Sequence, residues 1–401
     1  MKVLHLVLFG IFGASAVLGS PAFPTVDNVV LSQTKGRAVE VTYDLRDAEA
    51  VVTVTFMTNG VPLPSSVLQS VRGDVFFVVA PGVGRKITWR PWKSWSGGWT
   101  GGDVTVRVNA WPLSSPPPYM VVALDGSKEV RYYETEDALP GGIGSEAYRC
   151  GKMVFRKIPA ATSCFRAGSP KTETGRASNE TPRYVTLTND FYLGVFPVTQ
   201  GQFRSLGTTA SPSFSTIGDS LPADGLSGEH VGLPYASPSG IGDEACVAES
   251  LLSAARERTG FERLHLPTEA EWEFACRAGG CGAVYDGFAV GDAAWYADNS
   301  GGTLQPVGLK APNAFGLYDM LGNVWERVRD SASRAVSGEE QIAPFDGTNS
   351  HGSYQFMCGG AFDSLETAVR AASRKSGSNW QTHIYQTAEP GFGVRLKIPL
   401  K

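Results

Sequence analysis

Residues 313–326 read NAFGLYDMLGNVWE, and this stretch decides what kind of fold and site the sequence predicts. Its possible oxygen ligands, which are carboxylate, amide and backbone oxygens within eight residues, come from Asp319, Gly322, Asn323, Val324 and Glu326, and the glycine permits a tight bend. Hard oxygen ligands from one loop suit Ca²⁺ better than zinc or copper, which prefer nitrogen or sulfur. The alternative is a closed turn in which Glu326 binds backbone amides. The stretch alone leaves both interpretations open.

The bulk composition limits the class of protein. A chain of 401 residues has room for two or three domains, each with its own core. The formal net charge is −4 and only 18% of the residues are charged. Nucleic-acid binding is therefore not expected, because it requires a clustered basic surface.

The first 20 residues, MKVLHLVLFGIFGASAVLGS, combine one early lysine, an apolar run and small residues near the end. This pattern predicts a secretory signal peptide over residues 1–20, with a buried first strand or an uncleaved anchor as the alternative. No later segment approaches ~20 uninterrupted apolar residues. We expect an exported protein whose mature chain has no membrane span.

The cysteines also bear on stability. In an exported protein an even number permits up to three disulfides, whose pairing the spacing does not reveal. No CxxC pattern occurs and the five histidines are scattered, so no zinc site is predicted. The six cysteines are Cys150, Cys164, Cys246, Cys276, Cys281 and Cys358.

Residues 22–113 are rich in β-branched residues that occur in short runs between turn signals. The pattern predicts an all-β sandwich domain of the immunoglobulin or fibronectin type. A Pro-rich linker and connecting segment is expected over 114–144. We expect the tryptophans of this region to pack against the sheet rather than form a sugar-binding platform; they are Trp89, Trp92, Trp95 and Trp99.

From residue 145 to 400 helices are few and loops dominate. Capping boxes at Thr199 and Thr268 predict two helix starts. A third helix is expected in DEACVAESLLSAARERTG, with Val247 on its apolar face and Gly260 at its end. The predicted fold class is therefore α+β, with an irregular C-terminal domain after the β-sandwich. So much irregular backbone requires disulfides, bound ions or dense polar networks to stay ordered.

Four motifs occur in an order that resembles the formylglycine-generating enzyme family, also called sulfatase-modifying factors. They are DFYLGVFPVTQGQF, LPTEAEWEFACRAG, NAFGLYDMLGNVWE and CGGAF. The resemblance covers roughly residues 145–400 and implies a C-type-lectin-like fold steadied by structural calcium. It places Asp319, Gly322, Val324 and Glu326 at one calcium site. A second, weaker site falls at Asp298 and Asn299, where the following loop is short.

The family's chemistry is oxidation of a sulfatase cysteine to formylglycine, with two cysteines that bind copper and O₂. Here Ser364 stands at the first cysteine position, and the second falls within residues 365–369, which contain no cysteine. Ala361 replaces a serine of the oxygen pocket, whereas the tryptophan beside it is retained as Trp325. Copper(I) requires soft thiolates, so copper is not expected and the catalytic positions are degenerate.

Three functional hypotheses follow. The leading one is recognition of a protein segment or a glycan in the groove that relatives use for substrate peptides. The rival is an active sulfatase-activating oxidase that uses Cys358, or a related metal-dependent oxygenase. A third reading makes the chain a structural spacer. His265 and His383 are isolated and are expected to be structural.

Overall fold

The computed structural model describes residues 22–34, 37–95, 104–209, 212, 214–232, 248–331, 341–342, 355–375 and 390–400. The predicted signal peptide and Trp99, Cys246, Val247 and His383 lie outside the described residues. Within them the fold is mixed and strand-rich, with few helices and several sheets. The chain divides into two compact units, residues 1–120 with 130–145 and residues 121–129 with 146–401.

The strands in chain order are β1 (Thr25–Gln33), β2 (Val39–Arg46), β3 (Ala50–Thr58), β4 (Val61–Pro62), β5 (Val71–Gly73), β6 (Val78–Val79), β7 (Gly82–Trp89), β8 (Val104–Pro112), β9 (Tyr119–Ala123), β10 (Val130–Tyr133), β11 (Lys152–Ile158), β12 (Cys164–Ala167), β13 (Arg183–Thr186), β14 (Phe191–Gly194), β15 (Trp325–Ser331), β16 (Gln341–Ile342), β17 (Gln355–Cys358), β18 (Arg374–Lys375), β19 (Phe392–Val394) and β20 (Lys397–Pro399). The helices are α1 (Gln200–Leu206), α2 (Gly228–Val231), α3 (Leu251–Thr259), α4 (Glu269–Arg277) and α5 (Val290–Ala293).

The first unit contains two sheets. One has the order β1-β2-β7-β5, and in the other β3 pairs with β4, β6 and β8. Phe56 of β3 and Trp89 of β7 are buried, with ring centroids 4.5 Å apart. The run DVFFVVA at residues 74–80, one of those predicted to form a strand, is a strand only at Val78–Val79. Phe76 there has a positive φ of 68°, which breaks the strand conformation.

The tryptophans expected to pack against the sheet divide into two groups. Trp89 is fully buried and Trp95 lies against it, with ring centroids 5.8 Å apart. Trp92 is 55% exposed. The described tryptophans on the sheet are thus mainly packing residues.

The second unit holds the strands around the candidate site. β14 lies between β11 and β20, and a further sheet has the order β18-β17-β15-β19. In this sheet β17 is antiparallel to β15, whereas β19 is parallel to it. Helix α4 packs against β15 and β17, so one face of the sheet is turned towards this helix.

The helix signals in the sequence are largely confirmed. Thr199 and Thr268 cap α1 and α4 through complete capping boxes, and Gly260 ends α3 in the left-handed conformation. Helix α3 begins only at Leu251, since the Ser250 hydroxyl caps it there. The left-handed residue that ends α4 is Ala278, with φ 47°, one position before Gly279.

Buried ion pairs, rather than disulfides, hold the described loops of the second unit. The five cysteines in the described part of the chain are all free thiols. Glu269 of α4 binds Arg374 at 2.7 Å and Arg183 at 3.1 Å, and all three are buried. Arg370 likewise binds Glu180 at 2.8 Å. This is the dense polar network that irregular backbone requires.

Across the described residues no helix combines the length and the apolar character needed to cross a membrane.

Candidate functional site

The loop that contains residues 313–326 is fixed by its own amide side chains. Asn313 donates to the carbonyl oxygens of Ala275 and Cys276 at the end of α4. Asn323 donates its side-chain amide to Gln305 O and accepts from Gln305 N. These contacts satisfy backbone groups that the loop leaves without sheet partners. The loop is therefore an ordered part of the site.

Gly322 is required where the loop passes Trp295. It has φ 71°, and a Cβ atom there would lie 2.2 Å from the main-chain oxygen of Trp295. Asn323 N donates to that same oxygen at 2.8 Å. Any side chain at this position would push the two segments apart.

Glu326 is buried, and both of its carboxylate oxygens have partners. Arg395 donates through Nη2 to Oε1 at 2.7 Å and through Nε to both oxygens at 3.0–3.1 Å. Trp272 of α4 donates its indole N–H to Oε2 at 2.7 Å. The side chain therefore takes part in a bidentate ion pair with Arg395 that stabilises the site.

Asp319 differs because it keeps an oxygen without a partner. Its Oδ2 accepts from Gly308 N at 2.6 Å, whereas its buried Oδ1 has no hydrogen-bond donor in the described structure. Burial, with the nearby charge of Glu326, raises the pKa of this carboxyl to about 6, against the lowering effects of the Gly308 N–H, of Arg395 and of the Asn323 side chain. An unpartnered buried carboxylate oxygen calls for an explanation such as a bound cation.

The predicted calcium ligands therefore differ in whether they are available to bind a cation. The orphaned Oδ1 of Asp319 fits a hard cation. Glu326 does not fit in this way, since its charge is matched by Arg395. Val324 is buried, and Gly322 forms the bend beside it. Among the described residues, no three His, Cys, Asp or Glu side chains are grouped to hold a metal ion.

The second predicted calcium position is not assembled from side chains. Asn299 Oδ1 accepts from Tyr296 N, and its amide donates to Ala294 O, so the side chain closes its own turn. Asp298 is exposed to solvent. The structure thus gives these two residues no shared ligand geometry.

The degenerate family positions lie together next to β15. Trp325, Ala361, Met357 and Phe392 form one buried cluster. The Ser364 hydroxyl accepts from Ala361 N at 2.9 Å and closes a turn. The Ser364 side chain is therefore a turn residue and is not positioned as a metal ligand.

Cys358 faces the opposite side of the sheet from Trp325. It pairs in register with Glu326 of β15 and Arg374 of β18, and side chains in register share a face. That face lies against α4, where Trp272 contacts Glu326. Cys358 is fully buried, and burial raises the pKa of its thiol well above the ordinary value. The thiol is thus protonated and inaccessible.

His265 is a structural residue, as its isolation in the sequence suggests. Its Nδ1 accepts from Leu266 N at 2.8 Å. Burial, together with the charges of Arg329, Arg256 and Lys397, lowers the pKa of the imidazole well below 6.5. A neutral, buried imidazole that accepts a backbone N–H needs no ligand.

Sequence reasoning did not identify Arg395 as a site residue. Its position between Val394 and Leu396 in a C-terminal apolar segment was the available signal, because a buried arginine requires a partner. The identity of that partner, 69 residues earlier in the chain, could not be read from spacing.

Comparison with known proteins identifies the family that residues 156–396 match. A model described as Sulfatase-modifying factor enzyme 1-like domain matches residues 156–396. Inactive C-alpha-formylglycine-generating enzyme 2 of Bos taurus is 29% identical over 47% of this chain and 76% of the relative. Formylglycine-generating enzyme of Bos taurus is 26% identical over 55% of this chain and 69% of the relative. The solved structure of Treponema denticola variable protein 1 has a TM-score of 0.47 and 20% identity, over 62% of this chain and 95% of that one.

Proposed function

The chain belongs to the sulfatase-modifying factor enzyme 1-like family, and from this premise we propose that it does not oxidise cysteine. In this proposal the second unit acts in recognition, binding a protein segment or a glycan at the surface around Trp325. The single observation that carries the proposal is the position of the sulfur atoms. No cysteine occupies the degenerate family positions, and Cys358 faces the helix side of its sheet.

Copper chemistry explains why this position matters. Copper(I) prefers soft thiolate ligands, and the Ser364 hydroxyl is a poor substitute. That hydroxyl also accepts the Ala361 N–H within its turn. Cys358 offers one protonated thiol on the other face. Together these contacts support a family member in which the scaffold is kept and the oxidase chemistry is lost.

The comparison with an inactive mammalian relative gives further support. The Bos taurus protein named inactive C-alpha-formylglycine-generating enzyme 2 aligns with 47% of this chain. Its name shows that the family includes members without the oxidase activity. This similarity supports the proposal that the present chain is also a member without the oxidase activity.

The chemical character of the surface beside β15 supports a ligand. The ammonium group of Lys375 lies 4.6 Å from the ring centroid of Phe392 and 6.0 Å from that of Trp325. Lys375 itself is exposed. Trp325 and Phe392 are themselves buried, so the exposed ammonium group of Lys375 above them is the group that a peptide or a sugar would contact.

Ligand binding is tested with peptide and glycan arrays probed by the purified full chain. We expect a reproducible binder that is weakened at least tenfold by Lys375→Glu. The matched control is Lys171→Glu, which reverses the charge of another exposed lysine of the second unit. Binding that both variants weaken equally, or that neither affects, would place the ligand elsewhere and contradict the proposed surface.

The rival reading, an active oxidase, is tested by a metal inventory of the purified chain. Our proposal predicts no stoichiometric copper or iron. Copper at one equivalent that disappears in Cys358→Ser would establish the oxidase and refute the proposal.

Calcium is a separate part of the proposal. Asp319 Oδ1, together with main-chain oxygens of Gly322 and Val324, would hold a Ca²⁺ ion that supplies structural charge and no catalysis. The orphaned Oδ1 supports this assignment. We expect calcium to raise the thermal midpoint of the natural chain and to have no effect on Asp319→Asn.

The proposal also includes export of the protein and a fold type for each of the two units. The apolar run in residues 1–20 supports a cleaved signal peptide. The two sheets of the first unit support an immunoglobulin or fibronectin type, and family membership supports a C-type-lectin-like second unit. N-terminal mass analysis of the protein from its native host tests the export step, since an intact Met1 would contradict it.

A further inference from the structure

The guanidinium group of Arg395 lies where the family resemblance leads one to expect calcium coordination by Glu326. We propose that Arg395 supplies the positive charge at Glu326, and that Glu326 is therefore not a calcium ligand in this protein. The inference goes beyond the proposed function, because it concerns how the site is held and does not depend on what the site binds.

The contact geometry is that of a closed pair. Arg395 donates to Oε1 of Glu326 at 2.7 Å and to both oxygens through Nε at 3.0–3.1 Å. Trp272 donates to Oε2 at 2.7 Å. Arg395 and Glu326 are 0% and 1% exposed, so water does not compete for either group. The carboxylate is thus neutralised and hydrogen-bonded within the protein.

Arg395 is also fixed by contacts other than those to Glu326. Its Nη1 donates to the main-chain oxygens of Gly194 and Val195, both at 2.8 Å. Its Nη2 donates to the main-chain oxygens of Tyr318 and Asp319 at 2.8 and 3.2 Å. A guanidinium held by these acceptors cannot leave Glu326 without leaving buried N–H groups unpaired.

Electrostatics make a second cation at Glu326 unfavourable. Calcium binds carboxylate oxygens at about 2.3–2.6 Å, so an ion on Glu326 would lie close to the guanidinium on the same carboxylate. Repulsion between like charges is strong where water is excluded. Asp319 is different, since Arg395 contacts only its main-chain oxygen and leaves its Oδ1 unpartnered. A cation in this loop therefore belongs to Asp319.

The pair also ties together the two strands that carry the surface around Trp325. Glu326 lies in β15 and Arg395 directly follows β19, and these strands are parallel neighbours with Trp325 opposite Phe392. The same arginine holds the segments at residues 194–195 and 318–319. Arg395 is thus a positioning residue whose effect reaches the proposed ligand surface through the sheet.

The experiment compares the natural chain with Glu326→Gln, Arg395→Gln and the double variant. Each is unfolded thermally in a calcium chelator and again in excess calcium. We expect Glu326→Gln to lower the midpoint by roughly 10 °C, as for other broken buried pairs, and by the same amount in both buffers. The calcium response of the second unit should be unchanged by this variant.

A fall in the thermal midpoint of Glu326→Gln that occurs only in the calcium buffer would overturn the proposal, because the carboxylate would then act through the metal. The thermal midpoint of the double variant should fall by less than the sum of the falls in the two single variants, since the two side chains form one pair. Glu271→Gln, which alters the neighbouring pair with Lys397, controls for general sensitivity to charge. If Arg395→Gln does not fold, the comparison of Glu326→Gln in the two buffers still decides the question.

Discussion

Asp319 is a buried carboxyl whose Oδ1 has no hydrogen-bond donor, and this makes the site sensitive to pH. Burial raises the pKa of this carboxyl from 3.8 to about 6 in the folded chain. A carboxyl with a raised pKa favours folding while it is protonated. Its stabilising contribution is therefore complete below pH 3.8 and is lost as the pH rises through about 6.

Asp319→Asn removes this dependence. In a calcium chelator at pH 7.5, the variant should be more stable than the natural chain by up to about 3 kcal/mol, because no buried charge forms. The difference should vanish near pH 4. Chemical unfolding across this pH range provides the measurement, and a variant that is less stable at pH 7.5 would show that the ionised carboxylate has a partner.

Ser364 provides a second test at the scale of one residue. Ser364→Cys restores a thiol at one degenerate position, but its side chain faces the Ala361 N–H. One thiol cannot provide two-sulfur coordination, so we expect no copper binding and no oxidase activity. Copper titration of the variant, with the natural chain as control, checks this. Tight stoichiometric binding would show that a nearby sulfur atom is accessible.

Some residue roles could be predicted from the sequence because their partners are local. The capping boxes at Thr199 and Thr268 are examples, since donor and acceptor are three residues apart. The Glu326–Arg395 pair could not be predicted, because only the folded sheet brings the two residues together. The preference of Glu326 for a cation was visible in the sequence, but the source of that cation was not.

Helix α4 is the element that packs against β15 and β17 and so supports the site. It supplies Trp272 to Glu326, and its first turn is capped by Thr268. Thr268→Ala should reduce the free energy of unfolding by about 1 kcal/mol, because the backbone N–H of Glu271 loses its acceptor, the Thr268 hydroxyl. Denaturant unfolding with the exposed Thr188→Ala as control measures this. An equal effect of both variants would argue against a specific cap.

Arg374 connects α4 to β18 and has a larger predicted effect. It binds Glu269 at 2.7 Å and also contacts Glu273, and both acids are buried. Arg374→Gln should lower the free energy of unfolding by about 3–5 kcal/mol, because it leaves buried carboxylates without their cation. A loss below about 1 kcal/mol in denaturant unfolding would indicate that water or another cation compensates.

The strands and loops also show which features cannot be predicted from the sequence. β-branched runs predict most strands of the first unit, since their periodicity is local. Residues 74–77 were wrongly included in a strand, because the positive φ of Phe76 has no signature in residue type. Disulfides were permitted by the even cysteine count, yet the described cysteines are free and ion pairs such as Arg370–Glu180 hold the loops.

At the scale of the whole molecule, two compact units occur in one chain and the family match lies in the second. Family membership could be predicted because several motifs recur in order. Neither the ligand nor the function of the first unit follows from the family, since both depend on surfaces that vary between relatives. The central claim is therefore chemical: the scaffold is present and its oxidising sulfur pair is not.

The most direct test measures the reaction itself. The purified chain is incubated with copper, O₂ and a sulfatase peptide that carries the cysteine pattern CxPxR, and the peptide is then weighed by mass spectrometry. Formylglycine-generating enzyme of Bos taurus serves as the active control. We predict an unchanged peptide mass with this chain. A loss of mass equal to conversion of the cysteine to an aldehyde would contradict the account.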